Sequence, residues 1–79
     1  MTNNEFARAT DWLDENIEKY YQAKTKDESD KYDRLLADKF SQLYDMELDP
    51  RRERIIERLE DEYMEIWSYR QHNPHTLII

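Results

Sequence analysis

The sequence predicts an all-α protein, a small antiparallel three-helix bundle with a short apolar tail at its carboxyl end. Apolar residues recur at helical spacing over three successive segments. Glycine and valine are absent, which removes the residue that tight hairpin turns need and a common strand former. Short polar breaks separate the segments, and helices joined by short turns pack antiparallel to their neighbours.

The chain of 79 residues is predicted to form one domain, and a domain of this size buries only about 60% of the surface of its unfolded chain. We predict this domain over residues 1–73, with helices at about 3–24, 26–46 and 50–72, followed by a tail over residues 74–79. Cysteine is absent, so stability depends on packing rather than on disulfides.

The first helix is predicted to begin after Thr2, because Thr2 and Glu5 have the spacing of a capping box. Its apolar stripe consists of Phe6, Leu13, Ile17 and Tyr20, with Ala9, Thr10 and Tyr21 at the edges. Trp12 lies at the boundary of this stripe, where its ring either covers the edge of the core or is presented to a partner.

The second helix is predicted after Thr25, which has Glu28 three residues later as a second capping box. Its stripe consists of Tyr32, Leu36, Phe40 and Leu43, flanked by Leu35, Tyr44 and Met46.

The third helix is predicted to begin at Pro50, because aspartate at the N-cap followed by proline is a strong start signal. Asn73 and Pro74 end it, since proline disfavours helical geometry in the residue before it. Its stripe consists of Ile55, Ile56, Leu59, Tyr63 and Ile66, with Trp67 and Tyr69 on opposite shoulders. The apolar tail that follows is expected to cover a surface.

The net charge of -7 excludes several classes of function. Twelve basic against 19 acidic residues disfavour direct nucleic-acid binding and attraction to an anionic membrane. No apolar run approaches the roughly 20 residues that cross a bilayer. The stretch from Met1 to Phe6 lacks the pattern of a secretory signal, so a cytoplasmic location is expected.

Neither catalysis nor a cofactor is predicted. Carboxylates one turn apart, such as Glu57 and Asp61, lie off the apolar stripes and are expected to face water, whereas acid/base catalysis by a carboxylate needs desolvation or a close buried partner. His72 and His75 supply two ligands, but a zinc site needs at least three from the protein. The sequence context of an acyl-transfer nucleophile is absent around each of the three serines, Ser29, Ser41 and Ser68.

Negative charge is concentrated in residues 1–30, which hold four basic and eight acidic side chains. The outward face of the first helix carries Asp11, Asp14, Glu15 and Glu18. Such a face resembles a phosphate backbone and attracts a basic partner, whereas the simpler interpretation is that it keeps the domain soluble.

Positive charge is concentrated at the start of the third helix, at Arg51, Arg52, Arg54 and Arg58. The helix dipole disfavours cations there. One interpretation is that nearby acids neutralise the arginines; the candidates are Asp45, Glu47, Asp49, Glu53 and Glu57. The other is an arginine-rich contact patch, since arginine is enriched at interaction hot spots.

Two functional hypotheses follow. The first is a small acidic, non-catalytic protein that regulates or inhibits a larger protein partner, such as a basic nucleic-acid-binding enzyme, as small acidic proteins of phages and mobile elements do. The second is a structural or assembly subunit that forms a helical oligomer, for example a homodimer. The predicted partner-binding residues are Asp11, Trp12, Asp14, Glu15, Glu18, Arg51, Arg54, Arg58 and Trp67.

Overall fold

Three helices and a short 3-10 turn build the computed structural model of the protein, which describes residues 1–77. Helix α1 spans Asn3–Gln22, α2 spans Lys26–Tyr44 and α3 spans Pro50–His72. The described residues are 84% helical, and no strand occurs among them, so the predicted all-α bundle is confirmed.

Two helices end two residues earlier than predicted, while α3 has the predicted bounds. After α1, Ala23 adopts an extended ψ of 132° and is buried, which turns its side chain into the core. After α2, the Asp45 N–H still donates to the Ser41 carbonyl, but the chain then bends away at Met46. The earlier end of α1 therefore accompanies the burial of Ala23, and the earlier end of α2 precedes Leu48, which packs against the core.

Each helix begins at the predicted cap. The hydroxyl oxygens of Thr2 and Thr25 accept the backbone N–H three residues later, both at 3.1 Å. The Asp49 carboxylate accepts the Arg52 N–H at 2.9 Å, with Pro50 in the first turn. These bonds satisfy backbone donors that a helix start otherwise leaves unpaired.

The helices run up, down and up. Arg52, near the start of α3, donates to the Met1 carbonyl at 2.8 Å, so α1 and α3 start at the same end. Arg70, near the end of α3, donates to the Tyr21 carbonyl at 3.0 Å and to the Ser29 hydroxyl at 2.9 Å. Since Ser29 lies at the start of α2, that helix runs antiparallel to the other two.

The core lies between the three predicted stripes. Leu36 and Ile56 are fully buried, and the ring centroid of Tyr63 lies 5.6 Å from that of Phe40 and 5.7 Å from that of Tyr20. The buried apolar cluster comprises Ala9, Leu13, Ile17, Tyr20, Leu36, Phe40, Leu43, Ile56, Leu59 and Tyr63. Half-buried residues surround it, including Phe6, Tyr32, Ile55 and Ile66 from the predicted stripes and also Leu48 from the second turn.

Beyond α3 the chain forms a 3-10 turn at Pro74–Thr76, and Leu77 is half-buried against the bundle. The rest of the predicted tail, residues 78–79, lies outside the described residues. None of the helices that the structure describes is long and apolar enough to cross a membrane.

Candidate protein-binding surface

The four carboxylates predicted on the outside of α1 form one exposed acidic face. Asp11, Asp14, Glu15 and Glu18 are all exposed, while Leu13 and Ile17 on the opposite side are buried. Their polar contacts are local to the helix. Lys19 Nζ lies 3.3 Å from a Glu15 carboxylate oxygen, and the Gln22 amide donates to Glu18 at 2.7 Å. We call these four carboxylates the acidic face.

The acidic face has an average linear charge density close to that of a nucleic-acid strand. Glu18 is seven positions after Asp11, which is a rise of about 10.5 Å along the helix axis. The four charges over this length project at unequal intervals of about 4.5, 1.5 and 4.5 Å with a mean of about 3.5 Å, and one strand of duplex DNA carries a charge about every 3.4 Å. A basic groove that binds nucleic acid therefore meets a similar charge density when it binds the acidic face.

The two tryptophans lie in different surroundings. Trp12 is half-buried, packs against the core and has the Lys39 ammonium 5.6 Å from its ring centroid. This placement agrees with the interpretation that its ring covers the edge of the core. Trp67 is 37% exposed on α3 and is the more accessible of the two indoles.

The arginines at the start of α3 divide into two groups. Arg52 is half-buried, and its guanidinium donates to Met1 and Asn3, lies 3.6 Å from Asp49 and stacks over the Phe6 ring at 5.2 Å. Neutralisation by nearby acids is therefore observed for Arg52 through Asp49.

The other three arginines, Arg51, Arg54 and Arg58, are exposed. Within residues 1–77 the ion pairs are Lys19 with Glu15 and Arg52 with Asp49, so none of these three takes part in one. They form a basic face on the first half of α3, separate from the acidic face on α1.

A half-buried polar network that the sequence did not indicate joins the three helices. The Tyr63 hydroxyl donates to the Asp33 carboxylate across α3 and α2. Burial raises the pKa of Tyr63, and the hydrogen bond to Asp33 adds to this because a carboxylate favours the protonated phenol. Burial likewise raises the pKa of Tyr20, whose ring lies beneath the Arg70 guanidinium at 4.6 Å.

A second surface feature lies where α1 and α3 end side by side. A cleft of about 520 Å³ opens there, and its walls include Tyr21, Glu65, Ile66 and Tyr69. The tyrosine side chains are 67% and 59% exposed, the highest values among the large hydrophobic residues of the described chain. Periodicity placed Tyr21 and Tyr69 at the margins of two separate stripes, but it gave no sign that they share a cleft.

The described residues contain no cluster of three or more histidines, aspartates or glutamates with the geometry to hold a metal ion. Comparison with family models, with curated proteins and with solved structures finds no match to this chain.

Proposed function

We propose that this protein is a small, non-catalytic binding protein of the cytoplasm that regulates or inhibits a larger protein with a basic groove. The acidic face is the proposed contact surface, and a nucleic-acid-binding enzyme is the proposed kind of partner. The observation that carries the proposal is the exposure of Asp11, Asp14, Glu15 and Glu18 on one side of α1, at an average charge density close to that of a DNA strand. An inhibitor of the type that phages and mobile elements use would compete with nucleic acid for such a groove.

The arrangement of the acidic face favours binding over solubility alone. Asp11 and Glu15, and also Asp14 and Glu18, are like charges one turn apart, which destabilises a helix by about 0.2–0.5 kcal/mol for each pair. A solubilising surface gains nothing from this repulsion, because the same charges can be dispersed among basic residues. A surface that binds a polycation requires the charges together.

Affinity capture with matched variants tests the proposal. The tagged chain is used as bait in a lysate of the organism that carries it, and binding of each captured protein is then measured with purified components. The face variant combines D11N, D14N, E15Q and E18Q. We expect it to lose at least tenfold in affinity, and we expect wild-type binding to weaken as salt rises, since the contacts are exposed charges.

The control variant combines D38N, E47Q, D61N and E62Q, which are exposed carboxylates outside the acidic face. It changes the net charge by the same amount and should bind as the wild type does. Duplex DNA should compete with the wild type for the captured partner. Equal affinity of the face and control variants, with no salt dependence, would show that the acidic face is not the contact surface.

Self-assembly is a second candidate function, favoured by the basic face on α3. Arg51, Arg54 and Arg58 are exposed and outside the ion pairs of the described chain, so the acidic face of another copy complements them. A reciprocal contact of this kind gives a homodimer, and a head-to-tail contact builds rings or filaments. Light scattering at low and high salt separates the candidates, because an oligomer that dissociates in salt indicates assembly and a monomer at both indicates the binder.

A further inference from the structure

The cleft between the ends of α1 and α3, which we call the tyrosine cleft, extends the surface on which the acidic face lies. Tyr21 is three residues after Glu18 and seven after Asp14, so the three side chains follow one another along the same side of α1. On α3, Glu65 and Tyr69 are four residues apart and both line the cleft. The acidic face and the tyrosine cleft are therefore adjacent, and a partner that binds the acidic face also contacts the cleft.

We propose that the tyrosine cleft binds an arginine side chain of the basic partner. Exposed tyrosine rings attract a guanidinium through their faces, and arginine stacks on aromatic rings more readily than lysine does. Ile66 offers an apolar wall for the methylene stem, and Glu65 offers a carboxylate for the charged end. This inference rests on the proposed function, because it assumes that the partner is basic.

Electrostatics at this end of the bundle favour a cation. Helices α1 and α3 run in the same direction, so their carboxyl ends, each the negative end of a helix dipole, lie together at the cleft. Arg70 also lines the cleft, but its guanidinium is already occupied inside the bundle. It donates to the Ser29 hydroxyl at 2.9 Å and to the Tyr21 carbonyl at 3.0 Å, and it stacks over Tyr20. The Arg70 charge is therefore already matched by the carbonyls at the end of α1, and the carboxylate left for a further cation is that of Glu65, which takes part in none of the ion pairs within residues 1–77. The positive amino end of α2 lies at this end too, but no described residue of α2 lines the cleft.

Three synthetic peptides test the inference without knowledge of the partner. Each alternates glycine with one other residue over nine positions, and that residue is arginine, lysine or the neutral isostere citrulline. Titrations are followed by NMR on the full chain through the ring signals of Tyr21 and Tyr69. We expect the arginine peptide to move these signals and to bind about threefold more tightly than the lysine peptide, with no response to citrulline.

Variants of the cleft provide the matched comparison. The pair Y21A and Y69A should weaken the arginine peptide about tenfold, because each exposed cation–π contact accounts for a factor of about three. Y21F with Y69F keeps both rings and should bind as the wild type does. E65Q should weaken binding, whereas E62Q, one turn away from the cleft, should not. The tyrosines are exposed, so these variants are expected to fold, and circular dichroism verifies it.

The outcomes separate this inference from the proposed function. If the face variant loses the captured partner but Y21A with Y69A keeps full affinity for the arginine peptide, the acidic face is the contact surface and the arginine site is wrong. If the arginine peptide moves the ring signals while the face variant retains its partner, the cleft binds arginine and the proposed function is wrong. If deletion of residues 78–79 moves the ring signals and the arginine peptide does not, the occupant is the end of this chain and the inference is overturned.

Discussion

Single polar residues at the ends and in the middle of the bundle determine how its helices are held together. Arg52 and Arg70 lie at opposite ends of α3, and each combines hydrogen bonds to α1 with stacking over an α1 ring. Between them, Tyr63 donates to Asp33 of α2. Each contact joins residues that are 30 or more positions apart in sequence. These side chains therefore add directional contacts between the helices to the packing of a small apolar core.

The Tyr63 hydroxyl makes stability sensitive to alkaline pH. An unfolded tyrosine has a pKa of about 10, and burial raises the pKa of Tyr63 above this and that of Tyr44 to about 12. The unfolded chain therefore releases these protons first. The stabilisation is complete below about pH 10 and is lost as the pH rises through the folded-state values.

We expect urea unfolding, followed by circular dichroism from pH 8 to 12, to show stability falling above about pH 10. Tyr63→Phe should lower stability by about 1–2 kcal/mol at pH 8, because Asp33 loses its donor, and should flatten the alkaline decline. Tyr69→Phe is the control, since Tyr69 is 59% exposed, whereas Tyr44→Phe should also remove part of the decline because the pKa of Tyr44 is raised as well. A wild-type decline unchanged by Tyr63→Phe would contradict this role.

At the scale of the helices, the sequence predicted what depends on neighbours along the chain. The caps at Thr2, Thr25 and Asp49 and the apolar stripes were all found, because capping and helical periodicity involve residues within a few positions. The half-buried Arg70 was not predicted, since its partners lie more than 40 residues away. The tyrosine cleft was missed for the same reason, because it forms only when α1 and α3 lie parallel.

Arg70 joins all three helices at one end of the bundle, and its removal should destabilise that end. Arg70→Ala should lower the free energy of unfolding by about 2–3 kcal/mol, because it removes a cation–π contact with Tyr20 and leaves the Ser29 hydroxyl without its donor. Arg70→Lys should restore only part of this, since an ammonium cannot reproduce the planar fork.

Amide hydrogen exchange supplies the local measurement for Arg70. Exchange in Arg70→Ala should accelerate first at the carboxyl end of α1 and the start of α2, where the partners of Arg70 lie. Arg58→Ala serves as the control and should change stability by less than about 0.5 kcal/mol, because Arg58 is exposed. Equal effects of the two substitutions would show that the Arg70 contacts contribute nothing specific.

For the proposed binding by the whole molecule, the positions of the charges matter more than the net charge. Each of the three helices has a net negative charge, but the acidic face on α1 and the basic face on α3 concentrate opposite signs. The sequence predicted both faces, because exposure on a regular helix follows from position. The predicted contact residues included Arg51, Arg54 and Arg58 but not Arg52, while the contacts of Arg52 with Met1 and Asn3 were not predicted, since they depend on how α1 and α3 start together.

The stability of the face variant discriminates between a solubilising and a binding role for the acidic face. Amides at Asp11, Asp14, Glu15 and Glu18 remove two like-charge pairs one turn apart, which together cost about 0.4–1 kcal/mol, and also the Lys19–Glu15 ion pair, which contributes about 0.3–0.5 kcal/mol. The variant should therefore be more stable than the wild type by up to about 0.7 kcal/mol, which corresponds to a melting temperature higher by up to about 5 °C for a chain of this length. Added salt should raise the melting temperature of the wild type more than that of the variant, because only the wild type has this repulsion to screen.

The control variant should show a smaller shift. It also removes two like-charge pairs one turn apart, those of Asp61 with Glu57 and Glu65, but it loses two favourable pairs at the same spacing, Arg34 with Asp38 and Arg58 with Glu62. A face variant that is more stable and yet loses its partner would mean that the wild type retains a destabilising charge arrangement for binding. If instead the face variant melts at the wild-type temperature and keeps its partner, the four carboxylates neither repel one another appreciably nor bind, and solubility accounts for them.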